Sequence, residues 1–151
     1  MIVRKTSVFP AGQELVFSKL QELKTLQYIA APYAAFDPVG TEQPVWVAGS
    51  VSSYRFRLFC AIPFGIHTIR VVRVDPQGIS SRESNPHVPV WNHDIFLKRL
   101  DDRHTEYTDR VEIRAGWKTF FIWLWANAFY RHRQRKWVRL LKKEAGRAVG
   151  S

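Results

Sequence analysis

The chain has 151 residues, of which 46% are hydrophobic and 14% aromatic, so it is too apolar for a disordered chain and long enough to bury a core. Its one cysteine, Cys60, excludes an intramolecular disulfide and a thiolate zinc cluster. The net charge is +10, but +8 of it lies in residues 117–151, so the basicity belongs to one segment. We expect a single domain over residues 1–151.

The first part of the chain predicts one strand and two short helices. Ile2–Phe9 alternates between two faces, as a strand does, and Pro10 ends it. A helical pattern begins at Ala11, and a second short helix is predicted at about Thr25–Ala31, before a proline.

From Ala34 onward the pattern changes to short β-rich runs, typical of an antiparallel meander. The predicted strands are Ala34–Pro38, Val45–Ala48 running on to Tyr54–Ala61, Ile66–Val74, Ile79–Ser84, Val88–Leu97 and Thr105–Ile113. Pro63–Gly65 is one of the predicted breaks between them. One long helix is then predicted from Trp117 to about Lys143, over which the chain has neither proline nor glycine.

This order of elements predicts an α+β fold in which a curved antiparallel sheet wraps around the last helix. A helix of about 27 residues is ~40 Å long, enough to lie across the concave face of such a sheet. With two small helices closing one end, this arrangement commonly leaves an apolar cavity between sheet and helix.

Two predicted strands contain a short motif. Trp91 and His93 lie on the penultimate strand, and Thr105, Asp109 and Val111 follow on the last strand. Together with the order of elements, this motif resembles the START-like (SRPBCC) superfamily, which includes polyketide cyclases and lipid-transfer domains. The resemblance implies a helix-grip fold with a hydrophobic ligand cavity. It does not imply one reaction, because this superfamily uses the fold for transport, binding and catalysis.

Two positions depart from the motif. A second histidine of the fuller motif is Ile95 here, and the usual glycine before the threonine is His104. These departures concern shared chemistry more than the fold.

Alternation along the strands predicts a polar cluster on the concave face. The parity of the apolar residues turns Glu83, His93, Tyr107 and Asp109 inward. A turn centred near Asp102 sets Ile95 opposite Asp109 and leaves His93 diagonal to that carboxylate. One interpretation of the cluster is a site that transfers a proton or orients a ligand. The other is a set of buried polar groups that hydrogen-bond to one another and only stabilise the fold.

The leading hypothesis is binding or transport of a hydrophobic or aromatic small molecule, such as a lipid, quinone or polyketide-like compound. The candidate wall residues are Tyr54, Phe56, Ile69, Trp91, Ile95, Tyr107, Phe121, Leu124 and Trp125. Glu83, His93 and Asp109 are the candidate polar anchors. The alternative is a cyclase or dehydrase in which His93 is the general base and Asp109 orients it, with Glu83 as a further catalytic candidate.

Other chemistries lack their motifs in this sequence. There is no Gly-x-Ser-x-Gly elbow, no His-x-x-x-His pair and no glycine-rich phosphate loop. We therefore expect no metal and no cofactor.

The last helix has two unusual halves. Phe120–Phe129 is apolar on almost all sides, which predicts either deep burial in the grip of the sheet or an outward patch for a homodimer or a membrane. The second half contains the cations Arg131, Arg133, Arg135, Lys136, Arg139, Lys142 and Lys143. Cations at this end of a helix are stabilised by the negative end of its dipole, which is one explanation for them. The other is weak contact with an anionic membrane or an acidic partner.

A third hypothesis is therefore a peripheral adaptor that acts through this basic helix. Specific nucleic-acid binding is not expected, because no recognition motif accompanies the charge. The N-terminus lacks the apolar run of a signal peptide, and the longest apolar stretch is too short to span a bilayer. The expected location is the cytoplasm.

Overall fold

The computed structural model describes residues 1–40 and 46–149, with side chains through Arg147. In chain order the elements are β1 (Ile2–Phe9), α1 (Gln13–Leu20), α2 (Leu23–Ala30), β2 (Ala34–Pro38), β3 (Val51–Leu58), β4 (Ile62–Asp75), β5 (Gly78–Asn85), β6 (Val88–Asp101), β7 (His104–Arg114), a short 3-10 turn (Gly116–Lys118) and α3 (Thr119–Val149). The strands form one antiparallel sheet in the order β1-β7-β6-β5-β4-β3-β2. The curved sheet around a long C-terminal helix confirms the predicted α+β helix-grip fold.

Strand alternation places the core between the sheet and α3. On β7, Tyr107, Val111 and Ile113 are buried, while Arg110 and Glu112 between them are only partly covered. Apolar burial of this kind is the main force that stabilises the fold.

The buried residues of α3 recur every three or four positions, so they lie on one side of the helix, its inner face. Its buried members are Ala126, Phe129, Tyr130, Arg133, Gln134, Trp137 and Leu141. Trp137 packs against the rings of Phe9 and Tyr107, with ring centroids 5.6 and 5.8 Å away. The second half of α3 is thereby held against β1 and β7.

Two predicted boundaries in the middle of the chain are wrong. Residues Trp46–Ala48 form a loop rather than a strand, and β3 begins only at Val51, while Val45 lies outside the described residues. The β3–β4 turn is at Phe59–Ala61 rather than at Pro63–Gly65, because Phe59 and Cys60 adopt positive φ angles of 53° and 59°.

Pro63 instead lies near the start of β4. It pairs with Arg57 beside a register irregularity, where a missing N–H is tolerated. The Arg57 guanidinium donates a hydrogen bond of 2.7 Å to the Cys60 carbonyl and so ties the turn together.

The long helix also differs in its ends from the prediction of residues 117–143. Its first turn, Gly116–Lys118, is a 3-10 turn, and α3 continues through Gly146 to Val149. The Thr119 hydroxyl accepts a hydrogen bond of 2.8 Å from the Ala115 N–H, which fixes the entry of the chain into the helix. Among the described residues, no helix is both long and apolar enough to cross a membrane.

Candidate functional site

A cavity of about 410 Å³ lies between the concave face of the sheet and α3. Most of its walls are apolar side chains from β2 to β6, α2 and the first half of α3. Six of the predicted wall residues line it: Phe56, Ile69, Trp91, Ile95, Phe121 and Trp125. The sequence also missed several lining residues, among them Trp46, His67, Ile79 and Arg133.

Three predicted wall residues do not line this cavity. Tyr54 and Tyr107 are fully buried within the core, where Tyr54 packs edge-on against Phe36 and Tyr107 stacks on Phe9. Leu124 is half exposed, because the helical turn places it on the side of α3 opposite the buried inner face.

The polar cluster begins with a buried histidine–carboxylate pair. Ile95 lies opposite Asp109 in the β6–β7 pairing, which confirms the predicted register. His93, two residues away on the same face, donates from Nε2 to Asp109 Oδ1 at 2.8 Å. The Asp109 side chain is completely buried.

Helix α3 and a neighbouring tyrosine of β7 supply the remaining partners of Asp109. Gln134 Nε2 donates to Oδ2 at 3.1 Å, and Arg133 Nη2 lies 3.9 Å from Oδ1. The Tyr107 hydroxyl donates to Oδ1 at 3.2 Å. Asp109 is therefore anchored from the sheet and from the helix together, and it lies behind His93 rather than on the cavity wall.

Glu83 is held by a second histidine, His67, which is not among the predicted site residues. His67 Nε2 donates to Glu83 Oε2 at 2.6 Å, and the Ser81 hydroxyl donates to Oε1 at 2.6 Å. His67 has the same parity on β4 as the buried Ile69, so strand alternation could have found it. His93 Nδ1 lies 3.9 Å from Glu83 Oε1, which joins the two pairs into one cluster.

The electrostatics of the cluster favour ionised carboxylates. Burial is the largest influence on the pKa of Asp109 and raises it, but the Arg133 charge and the bonds from His93 and Gln134 outweigh burial and hold this pKa below 3.8. For Glu83, burial likewise opposes ionisation, while the hydrogen bonds from His67 and Ser81 hold its pKa below 4.5.

Two tyrosines next to the cluster stay neutral. Burial raises the pKa of Tyr107, and the neighbouring Asp109 charge adds to the effect. Burial also raises the pKa of Tyr130, whose hydroxyl accepts a hydrogen bond of 3.2 Å from the Trp91 indole N–H.

We expect the protein to lose stability in acid through these carboxylates. A carboxylate whose pKa is lowered by folding stabilises the native state above its ordinary pKa, and this contribution disappears as the pH falls through the folded-state pKa. The urea unfolding free energy should therefore fall from about pH 4.5 downward.

Glu83→Gln should make that decline shallower, whereas Asp102→Asn, at a side chain 94% exposed, should leave it unchanged. Equal slopes in the wild type and in Glu83→Gln would contradict the assignment.

The geometry gives His93 a definite orientation toward the cavity. In the neutral imidazole, the Nε2–H donated to Asp109 leaves Nδ1 as an acceptor. Nδ1 and Glu83 Oε1 then present two acceptors on the wall of the cavity, which Arg133 also lines. The arrangement can accept a hydrogen bond from a bound hydroxyl or receive its proton.

One predicted surface cation belongs to this site. Arg133 was expected among the residues that contact a membrane or an acidic partner, but it is buried, because its position on α3 is on the inner face with Tyr130 and Trp137. Lys136 is also partly covered, and its ammonium lies 4.1 Å from the centre of the Tyr28 ring.

Residues 20–141 match the family described as Domain of unknown function (DUF8410). The chain belongs to this family. Comparison with the curated proteins found no match. The fold of this DUF8410 member is START-like, as comparison with solved structures shows.

Three of the similar structures illustrate that likeness. Protein CV1439 from Chromobacterium violaceum is 14% identical with a TM-score of 0.72, over 93% of this chain and 97% of its own. A START superfamily protein from Mycobacterium smegmatis is 12% identical with a TM-score of 0.70, over 94% and 97%. The ZhuI aromatase/cyclase from Streptomyces sp. R1128 is 18% identical with a TM-score of 0.62, over 99% and 95%. At sequence identities this low, the structural similarity shows a shared fold and nothing more.

Proposed function

We propose that this protein binds a hydrophobic small molecule, aromatic or lipid-like, in the cavity between the sheet and α3. The observation that supports this most directly is a 410 Å³ cavity with apolar walls and one polar cluster. Ligand cavities commonly measure about 300–1,000 Å³ and use a few polar groups to fix orientation. Two structurally similar proteins, a START superfamily protein and an aromatase/cyclase, agree with a small-molecule role.

The polar cluster would orient the ligand. Glu83 and His93 lie on one wall, and both are held by buried partners, so neither has to be ordered when a ligand binds. Apolar burial would supply most of the affinity, and a hydroxyl placed between Glu83 and His93 would set the direction.

The test is uptake of the neutral apolar fluorophore N-phenyl-1-naphthylamine by the purified protein. We expect saturable binding at one site, and Ile79→Trp should weaken it at least about tenfold, because Ile79 is buried on the cavity wall. Leu100→Trp, at an exposed position on β6, is the matched control and should bind normally.

Overpacking costs about 1–3 kcal/mol, so circular dichroism must show that Ile79→Trp remains folded, and Ile69→Phe serves as a second blocking variant. Native mass spectrometry of protein purified without stripping would show the mass of a retained ligand. A wild type that does not take up the fluorophore, or blocking variants that bind it normally, would overturn the proposal.

A second candidate function is cyclase- or dehydrase-type catalysis with His93 as the general base. The observation that favours it is the 2.8 Å bond from His93 to the buried Asp109, which fixes the tautomer and leaves Nδ1 toward the cavity. A base of this kind abstracts a proton next to a carbonyl group. Exchange of the α-protons of 1-tetralone in D₂O, followed by NMR, tests for this step.

His93→Ala separates the two functions. A general base typically contributes about 10²–10⁴-fold, so an enzyme should lose exchange by that factor, while a binding protein should keep most of its affinity for N-phenyl-1-naphthylamine. If the wild type does not accelerate exchange above the buffer rate, the general-base role is excluded for this probe class.

A further inference from the structure

The solvent-facing side of α3 has a composition that the cavity does not explain. The exposed residues of this side follow the helical repeat of three to four positions. We call them together the outer α3 face. They are Trp117, in the 3-10 turn before the helix, and Phe120, Phe121, Leu124, Ala128, Arg131, Arg135, Arg139 and Lys142. All of them are exposed. From Phe120 to Lys142 this face extends ~33 Å.

The first half of the outer α3 face is aromatic and unusually open. Trp117 is 81% exposed, Phe121 64%, Phe120 51% and Leu124 48%. Single exposed apolar residues are common, but four together form a patch of the kind that marks an interaction site. Trp117 and Phe121 also line the cavity, so this patch borders its opening.

The second half of the outer α3 face is cationic. Arg131, Arg135, Arg139 and Lys142 form no ion pair among the described residues, whereas the buried Arg133 between them is paired with Asp109. This face contains no acidic residue. Four uncompensated cations in one row create a positive potential toward an anionic surface.

We propose that the outer α3 face is a docking surface for an anionic lipid bilayer. The aromatic half enters the headgroup region, where Trp and Phe side chains are favoured, and the cationic half lies on the lipid phosphates. This orientation places the cavity opening against the bilayer, so that an apolar ligand can pass between the two without crossing water. The docking goes beyond the proposed ligand binding and can be tested without it.

The distribution of side chains favours a bilayer over a nucleic acid. Single-stranded nucleic acids use aromatic rings interleaved with cations along one groove, because bases and phosphates alternate. Here the two kinds of residue are separated by Ala128 into an aromatic half and a cationic half. That separation matches a surface with an apolar interior and charged headgroups.

The first experiment measures cosedimentation with phosphatidylcholine vesicles that contain 30% phosphatidylglycerol, and with phosphatidylcholine vesicles alone. We expect binding to the anionic vesicles only, and loss of that binding in 1 M NaCl. Arg131→Glu with Arg135→Glu should reduce the bound fraction at least tenfold. Lys98→Glu with Arg103→Glu changes the net charge equally at exposed positions away from α3 and should reduce it less than twofold.

The second experiment tests the aromatic half. Phe120→Ser with Leu124→Ser removes two exposed side chains that do not line the cavity, and it should lower vesicle binding at least fivefold. Phe96→Ser with Leu100→Ser makes the same replacements at exposed positions on β6 and should have no effect. Lipids brominated near the headgroup should quench the tryptophan fluorescence of the wild type and not that of Phe120→Ser/Leu124→Ser.

Three results would overturn the proposal: equal binding with and without phosphatidylglycerol, an aromatic variant that binds like the wild type, or tighter binding to a single-stranded RNA oligomer than to vesicles. A shift from dimer to monomer caused by Phe120→Ser/Leu124→Ser would assign the patch to self-association and also overturn it. Uptake of N-phenyl-1-naphthylamine without vesicles should persist in Arg131→Glu/Arg135→Glu and in Phe120→Ser/Leu124→Ser, because none of these four residues lines the cavity. Failure of docking is thereby distinguished from failure of ligand binding.

Discussion

Replacing Arg133 by methionine is expected to lower the free energy of unfolding by about 3–5 kcal/mol, because it leaves the buried Asp109 carboxylate without its cation. The Arg133 guanidinium lies 3.9 Å from Asp109 and donates to the Tyr107 hydroxyl at 3.4 Å. Methionine fills a similar volume, so the loss reflects charge rather than a cavity. Urea unfolding at pH 7, followed by circular dichroism, measures it.

Arg131→Met is the matched control, because it makes the same replacement two residues earlier on the exposed side of α3. It should change the unfolding free energy by less than about 0.5 kcal/mol. Adding Asp109→Asn to Arg133→Met should recover part of the loss, since the unpaired charge is then removed. Equal costs at positions 131 and 133 would show that the buried ion pair does not stabilise this fold.

Strand alternation made the sheet side of the site predictable. Parity alone placed Glu83, His93 and Asp109 on one face, and the turn near Asp102 gave the register that brings His93 to the carboxylate. The same rule places His67 on this face, because it has the same parity on β4 as the buried Ile69, and its ring reaches Glu83 on the neighbouring strand. Side chains alternate between the two faces of a strand every two residues, so one buried apolar residue shows which of its neighbours face the core.

The helix side of the site was harder to predict, and the reason is physical. Residues 120–129 are apolar in nearly every position, so they contain no periodic signal that fixes which side faces the sheet. The sequence therefore predicts Leu124 on the cavity wall, although this side chain faces solvent. The second half of α3 does indicate which side of the helix is buried, because Trp137 and Leu141 are apolar residues among cations and lie on the inner face.

Arg133 illustrates a different limit of sequence reasoning. Cations are rarely buried, so a residue in a basic segment is assigned to the surface unless a buried partner is known. Its partner Asp109 lies 24 positions away in the chain, on another element, and only the packing of α3 on β7 brings them together.

The loop at Trp46–Ala48 shows a related limit. Its β-rich composition predicts a strand, but composition does not supply a neighbouring strand for it to pair with.

Replacing Trp137 by alanine is expected to lower the free energy of unfolding by about 3–5 kcal/mol, the usual cost of removing a large buried aromatic side chain. Trp137 is completely buried, lines the cavity and packs between α3 and the rings of Phe9 and Tyr107. Its loss would weaken the attachment of the second half of α3 to the sheet. Trp117→Ala, at a position 81% exposed, is the matched control and should cost less than about 0.5 kcal/mol.

Trp137→Phe should be much milder than Trp137→Ala. The Trp137 indole N–H is buried and has no hydrogen-bond partner within the part of the chain that the structure describes, so phenylalanine removes an unpaired donor along with some volume. Trp137→Ala should also extend the cavity toward Phe9 and Tyr107, because the indole forms part of its wall. Folded Trp137→Ala should then bind a probe longer than N-phenyl-1-naphthylamine better than the wild type does. Equal stability losses for the two variants would contradict the unpaired indole, and unchanged probe selectivity would show that this end of the cavity closes when the ring is removed.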